Sequence, residues 1–174
     1  LYLRVPSQTW STAVGETRLL TAEDGTSILL NTASRITLKY SSTERRIRLE
    51  QGEALFDVAP EASRPFIVET GATRVRVLGT SFAVRRMPDE SVRVVVRQGM
   101  VEVTNPASDE VATPVRLSAN TSAVAPPAQG VKVARLSPEE VVRELSWQDG
   151  MVALSGVTLR EAAAEFARYS QVRI

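Results

Sequence analysis

The stretch that decides the fold runs Arg46-Ile47-Arg48-Leu49-Glu50-Gln51-Gly52-Glu53-Ala54-Leu55-Phe56-Asp57-Val58. Ile47 and Leu49 are apolar at odd positions, whereas after Gly52 the alternating apolar set is Ala54, Phe56 and Val58, at even positions. Because side chains alternate between the two faces of a strand with period two, such a change of phase requires a turn or a bulge. We therefore expect two strands joined by a corner at Gly52, with the apolar residues of both directed at one core.

The same change of phase follows Gly79 and Gly99. The segment Arg93–Val103 also matches Arg46–Phe56 at an offset of 47 residues. Two copies are too few for a repeat array, so we interpret them as equivalent strand–corner–strand units within one domain. The predicted structural corners are Gly25, Gly52, Gly79 and Gly99.

Short alternating segments punctuated by Gly and Pro fill residues 10–135. This pattern is typical of a sandwich, a barrel or a solenoid and not of a βαβ sheet. We predict a mainly β fold, an antiparallel sandwich or solenoid-like domain spanning residues 1–135. Phe56, Phe66 and Phe82 fall on its inward phase.

The C-terminal part follows a different pattern. Ser137-Pro138-Glu139-Glu140 combines an N-cap serine with proline at the first helical position, so a connecting helix is predicted within residues 136–146. Residues 147–174 then read as a short strand at Met151–Leu154, a capped helix at Leu159–Tyr169 and the start of a strand. We expect a second, truncated βαβ segment there.

Composition narrows the possible functions. The 174 residues include no histidine and no cysteine, and 21 basic residues face 20 acidic ones, for a net charge of +1. No histidine base, thiolate nucleophile or His- or Cys-ligated zinc site can be built from this set. The balanced charge argues against a dedicated nucleic-acid binder. We expect no metal, no cofactor and no enzyme turnover, and a protein that acts by binding.

Several blocks of the sequence occur in the order found in one family. They are Asp24–Thr26 with Leu30–Ser34, Gln51–Val58, Arg64–Val68, Val75–Val84, and Trp147–Gly150 followed by Leu159–Tyr169. Together they resemble the FecR family over nearly the whole chain. One block departs from the family pattern, because Asn120-Thr121 stands where Gly-Glu is usual. Asparagine tolerates a positive φ, so we expect the turn to be kept.

The resemblance implies the periplasmic sensor region of a transmembrane anti-sigma regulator. Members of the family bind a sigma factor through a cytoplasmic domain, and their periplasmic region contacts the signalling domain of a TonB-dependent outer-membrane transporter. Residues 147–174 resemble the front of a secretin/TonB short N-terminal domain. The longest aliphatic run is only Val94–Val96, so we expect the membrane anchor and the sigma-binding domain to lie outside this chain.

The peptide bond between Gly79 and Thr80 is the one place in the sequence that offers covalent chemistry. Some members of the family cleave themselves at a Gly-Thr bond, when the threonine hydroxyl attacks the preceding carbonyl. The alternative is a strand corner at which Gly79 only supplies backbone freedom. Both interpretations remain open from the sequence.

The candidate partner surface lies at the C-terminus. Its residues are Trp147, Leu159, Phe166, Tyr169, Val172 and Ile174. Apolar helix stripes usually pack their own domain, so the alternative is that these residues are core.

A rival function from another class is an envelope β module that binds glycan or polymer. Glycan sites use aromatic platforms, and this chain has only 2 Trp, 3 Tyr and 4 Phe.

Overall fold

The computed structural model describes residues 7–106, 112–154 and 156–170. Within these residues the chain forms two sheets of seven strands each, together with two α-helices. The strands are β1 (Gln8–Ser11), β2 (Arg18–Thr21), β3 (Ser27–Leu30), β4 (Arg35–Tyr40), β5 (Arg45–Gln51), β6 (Glu53–Asp57), β7 (Phe66–Thr70), β8 (Thr73–Val77), β9 (Ser81–Arg86), β10 (Val92–Gln98), β11 (Met100–Thr104), β12 (Val115–Ser118), β13 (Thr121–Ala125) and β14 (Lys132–Arg135). The helices are α1 (Pro138–Glu144) and α2 (Leu159–Tyr169), with a 3₁₀ turn at Ser146–Asp149 between them.

The two sheets pack face to face as a sandwich. The first sheet has the order β1-β4-β5-β7-β8-β11-β12 and the second the order β14-β13-β10-β9-β6-β3-β2. Neighbouring strands in the described residues are antiparallel except β5 and β7, which are parallel. One core cluster takes residues from both sheets, and the Phe56 ring contacts the Phe66 ring edge to face across it, at 5.6 Å between centroids. The prediction of a mainly β fold is confirmed.

The chain changes sheets where the apolar phase changes. It passes from β5 to β6 at Gly52, from β8 to β9 at Gly79 and from β10 to β11 at Gly99, each time between the first and the second sheet. The two matching segments are thus both strand–crossing–strand units. Gly25 differs, because it lies in the hairpin turn between β2 and β3 of one sheet. Asn120 lies at the crossing from β12 to β13 with a φ of 60°, so the turn is kept there.

Helix α1 packs on the outer face of the second sheet. Ser137 caps it and forms a capping box with Glu140, as the sequence predicts. A second apolar cluster joins Leu55, Ala83 and Val95 of the sheet to the buried residues Val141, Leu145 and Trp147. This cluster fixes the start of the C-terminal segment on the sandwich.

The predicted strand at Met151–Leu154 is wrong. These residues have no regular secondary structure, and they lie between Gly150 and Gly156, which have φ angles of 73° and 76°. A strand needs a neighbour for its backbone hydrogen bonds, and no strand in the described residues pairs with this segment. The predicted strand at Val172 and Ile174 lies outside the described residues. None of the helices in the described ranges has the length and apolar character needed to cross a membrane.

Candidate docking surface

Helix α2 carries an apolar face that points away from the sandwich. Thr158 caps the helix, and its hydroxyl accepts a hydrogen bond from the Glu161 amide at 3.2 Å. Leu159 is 91% exposed and Phe166 is 44% exposed, and no described residue of the helix is buried. Two of the predicted contact residues therefore lie on an open surface.

Trp147 lies elsewhere. Its side chain is 6% exposed and packs in the second apolar cluster, where its indole Nε1 has no hydrogen-bond partner among the described residues. This placement agrees with the alternative that Trp147 is core. Val172 and Ile174 fall outside the described residues, so the structure brings together only part of the predicted set.

A cleft of about 590 Å³ separates α2 from α1 and the outer face of the second sheet. Its floor and walls include the apolar residues Ala83, Val95, Leu145, Trp147, Leu154 and Val157. Its rim carries ion pairs, among them Arg93 to Glu144 at 2.6 Å. The α2 residues that line the cleft, among them Ala162 and Tyr169, differ from the exposed pair Leu159 and Phe166, so α2 offers one side to the cleft and another to the surroundings.

The C-terminal end of α2 is attached to the sandwich by polar contacts. Arg168 Nη2 lies 2.9 Å from Glu53 Oε2, and the amide nitrogen of Asn31 donates to the Tyr169 hydroxyl at 2.8 Å. A further ion pair joins Arg85 to Glu165 at 3.0 Å. Burial alone lowers the pKa of Arg168, but the carboxylates of Glu53 and Glu165 raise that pKa above its ordinary value.

Sequence patterns did not reveal this attachment. Asn31 and Glu53 belong to the blocks that resemble the FecR family, yet no role followed from their positions. Arg168 is 115 residues from Glu53, and such a separation gives no spacing signal. The only local sign is the pairing of Glu165 with Arg168 three residues later on the helix.

Gly79 and Thr80 are enclosed by neighbouring backbone. The Thr80 hydroxyl donates to the Met100 carbonyl at 2.9 Å, and the Thr80 carbonyl accepts from the Val58 amide at 3.0 Å. Pro60 packs so closely on Gly79 that an added Cβ would lie 2.9 Å from the Pro60 Cα. The Thr80 side chain is thus held by backbone groups, and none of its hydrogen-bond partners in the described residues is a base.

In the part of the chain that the structure describes, no group of three or more acidic side chains is placed to hold a metal ion.

Comparisons with known proteins agree with the fold and with the sequence blocks between Asp24 and Val84. A model of the FecR protein family matches residues 8–102, more than half of the chain. The chain belongs to the FecR family. No curated protein matches it.

Two crystal structures of a candidate anti-sigma factor from Parabacteroides distasonis ATCC 8503 are similar to this FecR-family chain. The 2.50 Å structure is 27% identical with a TM-score of 0.80, over 94% of this chain and 75% of that one. The 1.65 Å structure is 28% identical with a TM-score of 0.80, over 93% and 74%. Because 94% is covered, the similarity extends past the sandwich into the C-terminal segment.

Proposed function

We propose that this chain is the periplasmic signalling region of a membrane-anchored FecR-like sigma-factor regulator. Its partner is the signalling domain of a TonB-dependent outer-membrane transporter, and contact between them relays the transporter's ligand occupancy. Binding of the sigma factor itself belongs to a cytoplasmic domain outside this chain. Membership of the FecR family and the likeness to a candidate anti-sigma factor support a signalling regulator. The proposal that the partner is a TonB-dependent transporter rests on the family resemblance.

One observation supports the docking site: large exposed apolar side chains concentrate in one segment of the chain, which includes α2. Five of the exposed ones lie within residues 151–166, namely Met151, Leu154, Val157, Leu159 and Phe166. Monomeric soluble proteins rarely leave a contiguous apolar patch open, and such patches mark sites of protein contact. A partner that covers this patch gains the hydrophobic free energy that the isolated chain forgoes.

The carboxylates of Glu53 and Asp57 are each paired with an arginine, which supports action by contact. Glu53 is paired with Arg168, and Asp57 is paired with Arg97 at 2.7 Å. Each carboxylate is thus engaged in an ion pair within the fold. With no histidine or cysteine in the sequence, we assign no catalytic residue.

No observation favours the rival function in glycan binding. Phe56, Phe66 and Phe82 are fully buried, and Trp147 is packed in the second cluster. The guanidinium of Arg18 covers the Trp10 ring at 4.7 Å. Tyr40 and Tyr169 are held by hydrogen bonds to Asp24 and Asn31. Among the described aromatics only Phe166 offers an open ring.

Binding of the purified signalling domain of a TonB-dependent transporter from the same organism tests the proposal. We expect Leu159→Glu and Phe166→Glu each to weaken affinity about tenfold or more, because each buries a charge in an apolar contact. Leu19→Glu is the matched control, since Leu19 is 66% exposed on edge strand β2, away from the cleft. Unchanged thermal stability shows that the variants fold. Full affinity in the Leu159→Glu, Phe166→Glu double variant would refute the docking site.

A further inference from the structure

Segments that are far apart in the sequence meet at the C-terminal end of α2. Asn31 follows β3, Glu53 begins β6, and Arg168 and Tyr169 end α2. Glu53 Oε2 accepts from Asn31 Nδ2 at 3.0 Å and from Arg168 Nη2 at 2.9 Å, and Asn31 Nδ2 also donates to the Tyr169 hydroxyl at 2.8 Å. We call these four residues the latch. They link two of the sheet crossings, from β3 to β4 at Asn31 and from β5 to β6 at Gly52-Glu53, to one helix end.

The sandwich side of the latch is preorganised. Asn31 is fully buried, and its side-chain oxygen accepts from the Thr32 amide at 2.7 Å, which directs its amide nitrogen towards the helix. The Thr32 hydroxyl accepts from the Gly15 amide at 2.7 Å and donates to the Arg168 carbonyl at 3.0 Å. A last-turn carbonyl of α2 is therefore satisfied by the sandwich and not by water.

The two helices are attached by different means. α1 and the turn after it bury Val141, Leu145 and Trp147 against the sheet, whereas α2 has no buried residue in the described part of the chain. Tyr169 alone of the α2 residues packs partly against the second apolar cluster. The connection to α2 runs between two glycines of positive φ, Gly150 and Gly156. α2 can thus leave the sandwich while both core clusters stay closed.

We propose that Asn31 and Glu53 form a docking site for α2 on the sandwich, and that the latch opens and closes reversibly while the sandwich stays folded. The closed latch holds the Leu159 and Phe166 face in one orientation and completes one wall of the cleft. Opening removes that wall. The inference concerns the chain by itself, so it stands or falls independently of any transporter partner.

Opening has a measurable signature because α2 has only 11 residues. Isolated helices shorter than about 12–15 residues are marginal in water, so a released α2 loses helical hydrogen bonds. Hydrogen–deuterium exchange of the amides in residues 162–169 of the full chain reads this directly. We expect these amides in the unaltered protein to exchange much faster than those of β6 and β9, which open only with the sandwich.

Substitution of a latch residue, on the sandwich or on α2, should shift the equilibrium between the closed and the open latch towards the open form. We expect Glu53→Gln to speed exchange in residues 162–169 about tenfold or more, and Tyr169→Phe about threefold or more, with β6 and β9 unchanged. Glu102→Gln is the matched control, because Glu102 pairs with Arg76 and Arg116 on the first sheet, away from α2. It should leave α2 exchange as it is. A second readout is tryptic cleavage after Arg160, which should accelerate in the same variants.

Each outcome decides the matter. Exchange in α2 that matches the strands in the unaltered protein would show that the helix opens only on global unfolding, and the proposal would be wrong. Exchange within twofold of the unaltered protein in both variants would also overturn it. If Glu53→Gln loosens the whole sandwich, Tyr169→Phe decides alone, since it removes one hydrogen bond from the helix side. Full partner affinity in the Leu159→Glu, Phe166→Glu double variant, with a normal latch, would instead contradict the docking surface.

Discussion

The guanidinium of Arg45 lies 2.7 Å from the carboxylate of Asp24, and the two side chains are 0% and 3% exposed. Arg45 also donates to the carbonyls of Arg64, Ala59 and Leu78, at 2.9, 2.8 and 3.2 Å. These carbonyls belong to the loop between β6 and β7 and to the end of β8. One buried arginine thus ties that loop, and with it Pro60 over Gly79, to strand β5.

Arg45→Met should therefore lower the free energy of unfolding by about 3–5 kcal/mol. Removing one partner of a buried ion pair leaves the other charge uncompensated, which is the expensive case. Arg48→Met on the same strand is the control, because Arg48 is exposed, and its effect should stay within about 0.5 kcal/mol. Urea denaturation at neutral pH measures both. A loss of less than about 1 kcal/mol in Arg45→Met would show that the loop is held by other contacts.

The same pair predicts the response to acid. Burial raises the pKa of Asp24, but hydrogen bonds from Thr26 and Arg45 lower it more, so the folded pKa lies below the ordinary value of 3.8. Stability from the ionised group is therefore present above pH 3.8 and is lost as the pH falls through the folded pKa. We expect Asp24→Asn to be less stable than the unaltered protein at neutral pH. As the pH falls below 3.8, the variant should lose less of its free energy of unfolding than the unaltered protein does. Urea midpoints at a series of pH values test this, with Glu23→Gln as the neighbouring control.

Local patterns in the sequence predicted the strands of the sandwich and the corners between them, because alternation and change of phase are properties of adjacent residues. The sequence also indicates that Arg45 is buried, because Arg45 shares the odd phase of the buried residues Ile47 and Leu49. A charged residue on the inward phase indicates a buried ion pair, but its partner Asp24 is 21 residues away in another hairpin.

The strand prediction that failed and the contact that sequence patterns did not reveal both depend on partners that are distant in the sequence. Met151–Leu154 has the composition of a strand, yet pairing decides whether a strand forms, and no described strand lies beside it. The contact between Glu53 and Arg168 arises only after two sheets and a helix have packed. No residue spacing encodes it, because the chain between them can take many paths.

The glycines allow a matched comparison of strain and crowding. Gly25 and Gly52 have nearly equal φ angles of 84° and 85°. A Cβ at Gly25 would meet nothing within 4 Å, whereas one at Gly52 would lie 2.6 Å from the Ser34 Cα. We expect Gly25→Ala to cost about 1–2 kcal/mol for the left-handed backbone alone.

Gly52→Ala should cost at least about 2 kcal/mol more than Gly25→Ala, because the crossing must also move away from Ser34. Thermal denaturation of the two variants side by side gives the difference. Equal effects would mean that the crossing at Gly52 relaxes freely and does not fix the sheet order.

Whether the Gly79-Thr80 peptide bond stays intact distinguishes a structural corner from a site of self-cleavage. The Thr80 hydroxyl is already committed to the Met100 carbonyl at 2.9 Å, and Thr80 is 6% exposed. We therefore expect the purified chain to remain one species of 19.0 kDa during long incubation, as measured by mass spectrometry. Thr80→Val should also remain one uncleaved species, and it should lose about 1 kcal/mol of stability through the missing hydrogen bond. Fragments 1–79 and 80–174 in the unaltered protein, absent from Thr80→Val, would show instead that the hydroxyl attacks the Gly79 carbonyl.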